Sequence, residues 1–115
     1  MAVQMQDWRD APEIDTSAID ALVGAVGPEA FAGLKGQFVA DLKVLAGALL
    51  EAGRADNPGL VREKAHALRG VALNVGLLRL GHLAGALERG DTGDETEILP
   101  VLTASLCALE AAGKV

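Results

Sequence analysis

The chain has 115 residues and a formal net charge of −6; half of its residues are hydrophobic, but only 3% are aromatic and there is no Tyr. That length suits one domain with a single sizeable core. The acidic balance argues against nucleic acid as the main partner, because phosphate binding needs a face rich in Lys and Arg. A single cysteine excludes an internal disulfide and a CxxC metal framework, and no run reaches the roughly 18 to 20 apolar residues of a membrane span.

A core short of aromatics must be built from Leu, Ala and Val, which favours closely packed helices over a sheet sandwich. Met1–Asp10 carries Asp7 and Asp10 and no apolar stretch, so it is not a secretory leader. The sequence reads as that of a soluble, cytoplasmic protein. Residues 1–12 read as an N-terminal tail and 13–115 as the folded unit. Within the tail, Trp8 is compatible with docking on the bundle or with decorating a mobile end.

Asp15 is placed to cap a first short helix, with Ile14 and Ile19 as a hydrophobic staple across its start. That helix should stop near Val26-Gly27. Pro28 then takes a first helical position, where its missing N–H costs nothing, and Glu29 sits near the positive end of the helix dipole. Phe31, Leu34, Phe38, Leu42, Leu45 and Leu49 recur at helical spacing to about Ala52. Gly53–Asn57 makes a turn, and Asn57-Pro58 restarts a helix that runs to about Asn74. Gly76 supplies a left-handed stop.

Leu80, Leu83, Ala84 and Leu87 stripe the next helix, which should end near Gly90. Asp91–Glu95 is a polar turn. A last helix carries Leu99, Leu102, Leu106 and Leu109, with Pro100 confined to its first turn or causing a small kink there and Cys107 read as a small half-buried residue. Several glycines, Gly70, Gly81 and Gly85 among them, lie inside helical patterns at a cost of about 1 kcal/mol each relative to Ala. Gly81-x-x-x-Gly85 is best explained by close helix packing. The fold class is therefore all-α: an antiparallel up-down four-helix bundle with a short extra N-terminal helix.

One helix stands out chemically. At about 100° per residue, His66, Arg69, Gly70 and Leu73 share a narrow sector, while Val61, Ala65, Leu68, Ala72 and Val75 form the opposing apolar stripe. His66 therefore faces solvent, with a cation one turn away and open space at Gly70. Side chains lean toward the N-terminus of their helix, so Glu88 on the following helix points back toward His66. It is placed to accept the Nδ1–H and leave the Nε2 lone pair free to attack phosphorus. The alternative for Glu88 is an ion pair with Arg62 or Lys64. His82 lies on the polar side of its helix and reads as a surface residue.

The run His66-Ala-Leu-Arg69-Gly70, followed by Gly76, Leu80, Leu83 and Leu87-Glu88, resembles the histidine-containing phosphotransfer (HPt) domain family, whose members carry an H-x-L-K-G core on one helix of a four-helix bundle. The resemblance is clearest over Val61–Glu88. It implies that His66 is phosphorylated and that Arg69 stands for the usual lysine as phosphate neutraliser. It also implies that Gly70 gives access to the incoming domain and that Glu88 falls where some relatives hydrogen-bond the histidine. Two departures are evident: Arg for Lys changes reach and hydration, and Val71-Ala72 replaces a Ser-rich pair.

On this resemblance the chain is a carrier without its own kinase or nucleotide site. It would pass phosphoryl groups between the aspartates of receiver domains of response regulators or hybrid histidine kinases. No cofactor is expected, the Mg²⁺ and acidic pocket belonging to the receiver. Leu73 and Arg62 are the candidate docking residues, and a monomer is expected. Beginning with Met and ending soon after its last helix, the chain reads as a free-standing carrier. Two other readings use the same face: a non-catalytic helical module that binds or sequesters a receiver or another regulator, and the dimerising helical part of a histidine kinase.

Overall fold

The computed structural model describes residues 7–90 and 94–112. Five helices make up most of it: α1 (Thr16–Val26), α2 (Pro28–Arg54), α3 (Pro58–Asn74), α4 (Leu78–Glu88) and α5 (Ile98–Ala112), with 3₁₀ turns at Trp8–Asp10 and Asp94–Glu97. No strand occurs among the described residues. Helix α2 packs on α3, α3 on α4 and α4 on α5, and α5 returns to α2; α1 lies against α2. This is the up-down bundle with a short extra helix that the apolar periodicity predicts.

The helix boundaries follow local chemistry. The Asp15 carboxylate accepts from the Ala18 amide at 3.3 Å, and the Asn57 side chain accepts from the Leu60 amide at 3.1 Å. Each satisfies an N–H that the first turn leaves without an intrahelical partner. Pro28 and Pro58 occupy first-turn positions. Gly27 and Gly76 sit at φ +90° and +75°, the left-handed region where a Cβ is penalised. Gly76 is doubly constrained, because an added Cβ would also lie 3.0 Å from the Asp15 carbonyl oxygen. That close approach joins α1 to the α3–α4 turn, where the Asp15 amide donates to the Gly76 carbonyl at 2.7 Å.

Four expectations need correction. Part of the segment read as a tail is folded: Trp8 is only 7% exposed and belongs to the core. The chain that follows it is fixed by Arg79, whose backbone amide donates to the Pro12 carbonyl at 3.0 Å and whose Nε donates to the Ala11 carbonyl at 2.9 Å. Residues 1–6 of that segment lie outside the described residues, as do 91–93 of the polar turn.

In α5 the buried stripe is Ile98, Val101, Leu102, Ser105 and Leu109. The helix begins at Ile98, so Leu99 points outward and is 53% exposed. The same phase exposes Cys107, which stands two residues, about 200°, from buried Ser105. Leu34 is exposed as well, while Phe31, Leu42 and Leu49 carry the α2 core. The Ser105 hydroxyl is fully buried and has no hydrogen-bond partner among the described residues.

Candidate functional site

Helix α3 is anchored by Ala65, Leu68 and Ala72, all completely buried. His66, one residue and 100° from Ala65, consequently projects outward with its side chain 71% exposed. The ring meets Glu88 from α4: Nδ1 and Oε2 are 2.7 Å apart. Arg69, one turn along α3, donates from Nη1 to the other carboxylate oxygen, Oε1, at 3.3 Å. Glu88 thus divides its two oxygens between the imidazole and the guanidinium, and its own side chain is 29% exposed.

The hydrogen bond from His66 is the main influence holding the Glu88 carboxyl below its ordinary value of 4.5; partial burial opposes it, and the charges of His66 and Arg69 add to it. An ionised carboxylate can only accept. The shared hydrogen must therefore sit on Nδ1, and a neutral ring so arranged keeps its lone pair on Nε2. Of the alternative partners for Glu88, Lys64 lies 3.9 Å from Glu63 instead. Arg62 is exposed and lines a small cavity of about 100 Å³ with Val61, Leu87 and the α2–α3 turn.

The glycines around the site do two different jobs. At Gly70 an added Cβ would meet nothing within 4 Å, so the surface next to His66 is open. On α4, a Cβ at Gly81 would overlap the Leu73 side chain, and one at Gly85 would lie 3.6 Å from Arg69 Cδ. Gly81 and Gly85 are therefore seats into which α3 side chains settle. Leu73 lies across Gly81 and is still 38% exposed. Arg69 lies across Gly85, and that path delivers its guanidinium to Glu88. His82 is exposed.

The periodicity of the sequence missed two features. Arg69 rests on Glu88 instead of pointing freely into solvent. Arg89, not singled out by its position in the sequence, has its Nη1 3.4 Å from the point where a Gly85 Cβ would be. The available signal was its spacing of four from Gly85, which leans the side chain back over that residue.

The family model for the Hpt domain matches residues 33–112, and the chain belongs to the histidine-containing phosphotransfer domain family. Domains of this family take part in two-component phosphorelays. There they carry phosphoryl groups on a histidine, acting as carriers and not as enzymes, and they interact with receiver domains. No curated protein and no solved structure matches the chain. No helix among the described residues is long and apolar enough to cross a membrane.

Proposed function

We propose that this protein is a histidine phosphocarrier in which Nε2 of His66 accepts a phosphoryl group from the aspartate of one receiver domain and returns it to another. The observation that carries the reading is the 2.7 Å contact between His66 Nδ1 and Glu88 Oε2 on an otherwise open imidazole. A carboxylate on Nδ1 fixes the tautomer and leaves Nε2 as the nucleophile.

In the accepting step the Nε2 lone pair forms a bond to phosphorus while the bond from phosphorus to the aspartyl oxygen breaks. The receiver's carboxylate leaves with that electron pair. The hydrogen on Nδ1 stays in place, so the ring becomes positively charged, and Glu88 lies against that charge. Transfer onward is the same step reversed, the neutral ring leaving as a second aspartate bonds to phosphorus. Arg69 neutralises the transferring oxygens, as suits a loose transition state in which positioning and charge do most of the catalysis. Magnesium belongs to the receiver's acidic pocket, and this chain contributes a nucleophile and cations.

Gly70 leaves room for the receiver beside the ring, with Leu73 and Arg62 as flanking contacts. The contact is small and transient, as relay encounters are, and the carrier acts as a monomer. The carrier unit includes the Trp8 segment docked on the bundle, and its place of action is the cytoplasm.

The test is to mix the protein with a receiver phosphorylated on its aspartate. Wild type should acquire a label that is stable to base and lost in acid, while His66→Gln should acquire none. Labelling that persists in His66→Gln, or no label on folded wild type from any receiver, contradicts the reading.

A further inference from the structure

We propose that Arg89 is a second cation of the phosphoryl site, held beside Arg69 by the open position at Gly85; this rests on the phosphocarrier reading and deepens it. Two arginines, one on α3 and one at the C-terminal cap of α4, converge at one point. A Cβ built on Gly85 would lie 3.4 Å from Arg89 Nη1, 3.6 Å from Arg69 Cδ and 3.8 Å from Arg69 Nε. Both guanidinium-bearing chains therefore cross the same bare stretch of α4. Arg69 goes on to Glu88 at 3.3 Å, whereas no acidic side chain pairs with Arg89 among the described residues.

The group brings two positive charges to one point, which suits an arriving anion. Among the described residues, Glu88 is the carboxylate tied into the group, and it is already shared between His66 and Arg69. The charges count as follows once the phosphoryl group arrives. Arg69, Arg89 and the phosphorylated ring each contribute one positive charge, and Glu88 contributes one negative. A phosphoryl group brings about two negative charges, so the cluster with Arg89 is neutral. Without Arg89 it would carry an uncompensated negative charge. Arg69 cannot fill both roles fully, since each N–H it donates to the phosphate is one fewer for its bond to Glu88.

Arg89 Nη1 and Arg69 Nε each lie within 4 Å of one point on Gly85, so the two arginines are closer together than the screening length of physiological salt, about 8 Å. In a chain of net charge −6, such a local excess of positive charge also sets the site apart electrostatically from the rest of the molecule.

The experiment measures the rate of His66 phosphorylation in wild type, Arg89→Ala, Arg89→Lys and the control Arg54→Ala. Arg54 is an exposed arginine paired with Glu51 at the end of α2. Two donors are used, phosphoramidate as a small molecule and a phosphorylated receiver domain. Helical circular dichroism verifies that each variant is folded. Arg89→Ala should slow labelling by about three- to tenfold at low salt with both donors, and the deficit should shrink as salt rises. Arg89→Lys should restore most of the rate, and Arg54→Ala should match wild type.

Equal rates for Arg89→Ala and wild type with both donors would overturn the proposal. So would a deficit seen with the receiver alone, which would make Arg89 a docking contact. Both outcomes leave labelling of His66 intact. Failure of wild type to label would instead overturn the phosphocarrier reading, and this inference with it.

Discussion

At the scale of single residues, the site depends on how His66 and Glu88 share one hydrogen. Glu88 is held below 4.5 chiefly by its hydrogen bond from His66, and the sign of the linkage follows. A carboxyl depressed in the folded state contributes stability above its ordinary value, and the contribution is lost as the pH falls through the lowered one. Carbon-13 NMR of the Glu88 side-chain carboxyl should therefore show a midpoint below 4.5, and His66→Ala should move it upward. A midpoint that His66→Ala leaves in place would show that the imidazole is not the main partner. The outward placement of His66 was legible in the sequence because it depends only on the helical phase of Ala65, Leu68 and Ala72. The convergence of Arg69 and Arg89 was not. It depends on how deeply two helices approach at Gly85, which no single-helix periodicity encodes.

At the scale of elements, the turns are specified more sharply than the faces. Gly76 combines φ +75° with a Cβ position 3.0 Å from the Asp15 carbonyl. Gly76→Ala should therefore cost about 2 kcal/mol in urea unfolding, from left-handed strain and crowding together. A cost near zero would mean that the α3–α4 turn readjusts freely. Ser105 gives the opposite sign. Its buried hydroxyl has no partner among the described residues, and removing an unsatisfied buried polar group should stabilise, so Ser105→Ala should gain about 1 kcal/mol in the same assay. A loss of stability would mean that the hydroxyl is satisfied in solution.

The cap and proline signals at Asp15, Pro28, Asn57 and Pro58 were readable because each acts within four residues. The face of α5 was misread because its phase is set where the 3₁₀ turn at Asp94–Glu97 hands over to Ile98. A pattern of leucines alone places Leu99 inside.

At the scale of the whole molecule, the N-terminal segment is part of the bundle. The only tryptophan, Trp8, packs into the core at 7% exposure, and the Arg79 bonds to Pro12 and Ala11 fix the chain that follows it. Trp8→Ala should destabilise the protein by about 3 kcal/mol, as truncation of a large buried aromatic does. The native tryptophan emission should be blue-shifted and poorly quenched by acrylamide. A solvent-like emission with no stability loss would mean that the segment does not dock. The sequence left both possibilities for Trp8 open because the apolar residues that receive it come from distant parts of the chain. The bundle itself was readable from its Leu and Ala periodicity.

The central claim is that phosphorus bonds to Nε2 of His66 while Nδ1 keeps its hydrogen on Glu88. Phosphorus-31 NMR of protein phosphorylated by phosphoramidate, combined with nitrogen-15 spectra of the imidazoles, reads this directly. The account predicts one phosphohistidine signal, assigned to Nε2 of His66 and absent in His66→Gln. Phosphorus on Nδ1 of His66, or on His82 instead, would contradict it.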